Sequence, residues 1–102
     1  MIIIGNKEDY NELIMGDLVL VDFFAKWCGP CKMLGQVLEE ISNERNDLII
    51  VKIDVDENPD LAKLNGVMSV PTLILFKNGN VVARQSGFMP KEILNKWIDE
   101  NK

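Results

Sequence analysis

At 102 residues, with 47% apolar and 26% charged side chains, the chain has the balance of an ordinary globular protein and room for one core. The expectation is a single domain over residues 1–102, neither disordered nor fibrous. The net charge is −5 and no segment clusters Lys and Arg, so nucleic acid would be repelled and is not an expected partner.

The opening MIIIGNKEDYNE carries three isoleucines but no basic leader, no long apolar core and no small-residue cleavage site. No apolar run approaches the ~18 residues that cross a bilayer, so no membrane partner is expected and the expected compartment is the cytoplasm. Residues 2–4 read as a short strand, and Tyr10, Leu13 and Ile14 recur at helical spacing until Gly16. LVLVDFFA, 18–25, is a near-continuous apolar run, the pattern of a central strand covered on both faces, with Asp22 its one intruder. Leu34, Val37, Leu38 and Ile41 then mark an amphipathic helix with Glu39, Glu40, Glu44 and Arg45 facing outward. LIIVKIDV, 48–55, is a second β-branched strand containing Lys52.

Asn58 before Pro59 opens a short helix with Leu61 and Leu64 on its inner face, ended by Gly66. Asn78-Gly79 between two β runs predicts an antiparallel hairpin. Pro90 opens the last helix, whose buried stripe is Ile93, Leu94, Trp97 and Ile98. The order βαβαβ followed by αββα predicts an α/β fold with a mixed sheet of about five strands flanked by four helices.

The chain's only cysteines, Cys28 and Cys31, fall at the second strand-to-helix junction. Tetrahedral zinc needs about four ligands, and with no other cysteine and no histidine one chain does not close such a site from these residue types, which leaves a four-cysteine site shared by two chains or one completed by carboxylates. A structural staple is the wrong default in a reducing compartment, and a loop this short constrains little. Redox chemistry needs a stabilised thiolate and a second thiol in reach, and this spacing supplies both. If the helix begins near Gly29, Cys28 lies where unpaired N–H groups and the helix dipole favour negative charge, and its pKa falls. Cys28 then reads as the nucleophile and Cys31, one turn on, as the resolving thiol. Gly29 lets the backbone approach a partner, and Pro30 suits a first helical turn. Asp22, surrounded by apolar neighbours, is expected to be buried with a raised pKa. Lys52 either pairs with it or packs its stem while the ammonium reaches water.

WCGPCK at 27–32, behind a strand ending VDFFA, resembles the active site of the thioredoxin family, and nearly the whole chain is similar to that family in order and spacing. The resemblance implies the thioredoxin fold and a cytosolic protein-disulfide reductase. Its redox centre is a Cys28–Cys31 disulfide with no bound cofactor and no metal, and its partners are thioredoxin reductase and disulfide-containing target proteins. It also implies a monomer. Asp22 becomes a proton relay for Cys31 and Lys52 its modulator. Val70-Pro71 in VPT becomes a cis peptide whose backbone pairs with an extended substrate. Trp27, Gly29, Pro30, Val70 and Gly87 become a flat apolar patch around Cys28 that binds it. The sequence departs from the commonest pattern at Phe24, where a tryptophan often stands. It departs again at Gly35-Gln36, where many members carry a kinking proline, and at Met68 and Ser69 before Pro71. The competing readings are a disulfide oxidase or isomerase of the same fold, which tends to carry histidine between the cysteines, and a non-catalytic binding subunit that uses the Trp27 patch. Glutaredoxin-like chemistry goes with a tyrosine between the cysteines, and Gly29-Pro30 argues against it.

Overall fold

A computed structural model describes all residues, 1–102, as five strands and four helices. In chain order these are β1 (Ile2–Ile4), α1 (Tyr10–Leu13), β2 (Leu18–Phe24), α2 (Gly29–Glu44), β3 (Ile49–Asp54), α3 (Pro59–Leu64), β4 (Thr72–Lys77), β5 (Asn80–Ser86) and α4 (Lys91–Asn101). The sheet runs β1-β3-β2-β4-β5, with the first three strands parallel and β4 and β5 antiparallel to their neighbours. It is the mixed five-stranded sheet with four helices that the sequence predicts.

Strand β2 sits in the middle, and alternation of its side chains divides the core in two. Leu18 and Leu20 point with Ile50, Leu73 and Leu75 toward Leu34, Leu38 and Ile41 of α2 and Leu94 and Ile98 of α4. Val19, Val21 and Phe23 point the other way, toward Tyr10, Leu61 and Ala62 of α1 and α3. A strand buried on both faces has no polar side to show, which is why the run reads as continuous rather than alternating hydrophobicity. Asp22 belongs to the α2/α4 face by the same alternation and is fully buried.

The hairpin turns at Asn78-Gly79 with positive φ at both residues (52° and 84°), a conformation that Asn and Gly tolerate and that matches the strand twist. Cys28 is the N-cap of α2 and Pro30 lies in its first turn, where a missing N–H is harmless.

Three side chains lie elsewhere than the periodicity places them. Leu64 and Ile93 are exposed rather than inward. Helix α3 is six residues long and touches the core only through Leu61 and Ala62, while α4 uses Leu94 and Ile98 with Trp97 at the edge. Arg45, expected to face water, is the C-cap of α2 and is largely covered. Its guanidinium donates to Asp47 and to Asp99 and Asn95 of α4, tying the two helices together.

Candidate active site

The two sulfurs sit where β2 hands the chain to α2. Cys28 has extended backbone (φ −88°, ψ 114°), and its sulfur accepts a hydrogen bond from the Cys31 N–H at 3.2 Å. That N–H belongs to the first turn of the helix and has no partner within it, so the sulfur satisfies a donor that helix geometry leaves open. The two residues are joined as a disulfide with their Cα atoms 5.2 Å apart. Both are nearly buried, and they pack with Ala25, Phe24, Val55 and Val70 in a small cluster of their own.

The Val70-Pro71 peptide is cis, and Cys28 Sγ lies 3.7 Å from the Val70 carbonyl oxygen. Pro71 is buried, and its carbonyl accepts from the Gly87 N–H at 2.8 Å. Gly87 has φ +92°, a region open chiefly to glycine, and a side chain there or at Gly29 would meet nothing within 4 Å. The bare backbone at Gly29 adjoins Cys28, and that at Gly87 adjoins Pro71. Trp27 is 71% exposed and is held from one side, its indole N–H donating to Asp56 at 2.9 Å. With Val55, Val67, Met68, Ser69 and Val70 it lines a mostly apolar groove of 210 Å³. Trp27 is thus a surface residue rather than part of the core.

Two residues before Phe24 on the same face of β2 is Asp22, whose two carboxylate oxygens have no hydrogen-bond partner. Burial pushes its pKa from 3.8 up to about 7, against the opposing pull of the Lys52 ammonium. Lys52 is the register partner of Asp22 across β2 and β3, yet it makes no direct bond to it. Its ammonium lies 4.6 Å from the centre of the Phe24 ring. A cleft of 380 Å³, lined by Cys31, Phe24, Gly35, Gln36, Lys52 and neighbouring charged residues, opens between α2 and the end of β2. No cluster of His, Cys, Asp or Glu is arranged to hold a metal ion.

The thioredoxin family model matches residues 1–100. A thioredoxin of Bacillus subtilis is 54% identical over 101 residues, 98% of this chain and 97% of the relative. One of Chlamydia pneumoniae is 48% identical over 99% of both chains. Among solved structures, a mutant thioredoxin from Halobacterium salinarum superposes with a TM-score of 0.87 at 39% identity, covering 99% of this chain and 88% of that one. The chain belongs to the thioredoxin family.

Its fold is the thioredoxin fold, and its chemistry is that of a protein-disulfide oxidoreductase with Cys28–Cys31 as the redox centre. Cys28, Cys31, Val70 and Pro71 converge, with Trp27, Gly29, Pro30 and Gly87 around them, while Asp22 and Lys52 lie on the α2 side of the sheet beneath. Sequence reasoning missed Asp56, Val55 and Val67. A signal for Asp56 exists: β2 and β3 are parallel with Phe24 opposite Asp54, so the segments that follow them emerge side by side. An acidic residue just past one strand then meets a tryptophan just past the other.

Proposed function

We propose that this chain is a cytoplasmic, monomeric dithiol reductase of protein disulfides in which Cys28 attacks and Cys31 resolves. The Cys28 thiolate attacks one sulfur of the target disulfide; a new S–S bond forms, and the target's other sulfur leaves as a thiolate and takes up a proton. Cys31 then gives its proton to the Asp22 carboxylate and attacks Cys28 Sγ, releasing the second target thiol and leaving the Cys28–Cys31 disulfide. Thioredoxin reductase returns that disulfide to the dithiol.

One observation carries the order of events: the Cys28 sulfur accepts the Cys31 N–H at the head of a 16-residue helix. An unpaired N–H and the helix dipole stabilise a thiolate there, and the other cysteine has no such donor. The Val70 carbonyl beside Cys28 and the bare backbone at Gly29 and Gly87 suit an extended peptide laid across the sulfurs, backbone to backbone, with Trp27 and Pro30 against its side chains. Asp22 is neutral or charged in comparable amounts near neutrality, which suits a group that must take a proton and later return it. Lys52 sets how readily it does so.

The test is trapping. Cys31→Ser is expected to accumulate a covalent complex with a disulfide-containing protein, linked through Cys28, and Cys28→Ser to form none. A complex linked through residue 31 would reverse the roles. Retention of target binding and effect with both cysteines replaced would favour the non-catalytic subunit instead.

A further inference from the structure

Lys52 does something other than what its register suggests. It stands directly across from Asp22, and both residues face α2, yet the carboxylate has no bond from it. The ammonium has a different seat. One wall is the ring of Phe24, two residues beyond Asp22 on the same face of β2, at 4.6 Å from Nζ to the ring centre. The other wall is the backbone of α2 at Gly35, where an added Cβ would lie 3.4 Å from Nζ and within 4 Å of nothing else.

A cation over an aromatic face is attracted by the ring's quadrupole. The α2 backbone at Gly35 bounds the other side of the seat, and a methyl group there would only touch the ammonium. Phe24 and Gly35 both border the cleft that reaches Cys31.

We infer that Phe24 is a positioning residue that seats the Lys52 ammonium, against the α2 backbone at Gly35, beside but not on Asp22, so that its field acts on the proton exchange between Asp22 and Cys31 without locking the carboxylate in an ion pair. This rests on the reading of Asp22 and Lys52 given above. Other groups near the carboxyl do not substitute for Lys52. From β4 the register partner is Leu73, and the inward residues of α4 are Leu94 and Ile98. Lys26, Lys32 and Glu39 line the outer cleft and are exposed, and Cys31 is held in the disulfide. Released from its seat, the ammonium moves to water rather than to Asp22, because reaching a fully buried carboxyl means shedding its hydration.

The experiment follows the Asp22 carboxyl by carbon NMR across a pH series in the oxidised protein, in wild type, Phe24→Leu, Lys52→Met and the two combined. Phe24→Leu is expected to raise the Asp22 midpoint toward the Lys52→Met value, and to add nothing once Lys52 is methionine. An unmoved or lowered midpoint in Phe24→Leu, or a shift of equal size without Lys52, overturns the inference. If Lys52→Met itself leaves the midpoint in place, the underlying reading of Lys52 fails. If Lys52→Met shifts it and Phe24→Leu does not, only the seat fails.

Discussion

Replacing Asp22 with asparagine should stabilise the protein, and the amount should depend on pH in a defined way. The carboxyl is fully buried with no hydrogen-bond partner, and its pKa is about 7 in the folded protein against an ordinary 3.8. Because the folded value is the higher one, the unfolded chain loses the proton first, and ionisation favours unfolding as pH rises from 3.8 to about 7. At about 1.4 kcal/mol per pH unit over roughly three units, the buried carboxyl costs about 4 kcal/mol at neutral and alkaline pH, and nothing in acid where both states hold the proton. Asparagine has nearly the shape of the neutral carboxyl, leaves similar polar atoms unpaired and never ionises. Urea unfolding of oxidised wild type and Asp22→Asn across the pH range should therefore give curves that coincide in acid, separate through the mildly acidic range, and run parallel above neutrality. A gap below about 1 kcal/mol at alkaline pH, or one that does not change with pH, would refute the claim that desolvation dominates at this site.

The same variant should slow resolution of the mixed disulfide more than the initial attack by Cys28, which rapid-mixing kinetics separate, and the deficit should appear near neutrality, where the wild-type carboxyl is ionised and takes the Cys31 proton, and vanish in acid, where it is already protonated. Trp27→Phe keeps an apolar ring but loses the bond to Asp56, so KM for a protein disulfide is expected to rise several-fold with the Cys28/Cys31 potential nearly unchanged. Arg45→Met removes the link from the end of α2 to Asp47 and Asp99, and the urea midpoint at neutral pH should fall by an amount worth roughly 0.5–1 kcal/mol. Arg45 holds both carboxyls below the ordinary 3.8, so that contribution is present above 3.8 and is lost as acid protonates them, and the two melting curves should converge there. Leu38→Ala, at a fully buried position between α2 and the sheet, should cost about 3 kcal/mol and leave the thiol chemistry intact.

Much of this molecule is legible in its sequence because local chemistry and long-range packing agree. Asn78-Gly79 forces positive φ and makes a hairpin whatever surrounds it, and the cysteine spacing fixes a capping residue and a first-turn residue of one helix. Asp22 reads as buried because five apolar neighbours leave it no exposed face. The inward faces of the short helices are harder to read: Leu64 has the spacing of a core residue, but α3 ends before the sheet can cover it. Arg45 fails for a different reason, since only Asp47 is local and its other partners, Asn95 and Asp99, come from α4 about fifty positions away, outside any short window of sequence. Lys52 shows the limit most clearly. Its proximity to Asp22 follows from strand pairing, whereas its choice of Phe24 and Gly35 over the carboxylate depends on a balance of hydration and space that only the assembled site sets.

The sheet has two outer strands, and neither is a good template for adding another. β1 is three residues long. β5 is exposed, carries Arg84 and a run of polar side chains, and is bent by a bulge where Leu75 and Phe76 face it. Short, charged or bulged borders resist the edge-to-edge association that leads β proteins into aggregates. An extended segment docked at the sulfurs, as proposed above, therefore finds beside it no sheet margin that favours continuing into a fibril.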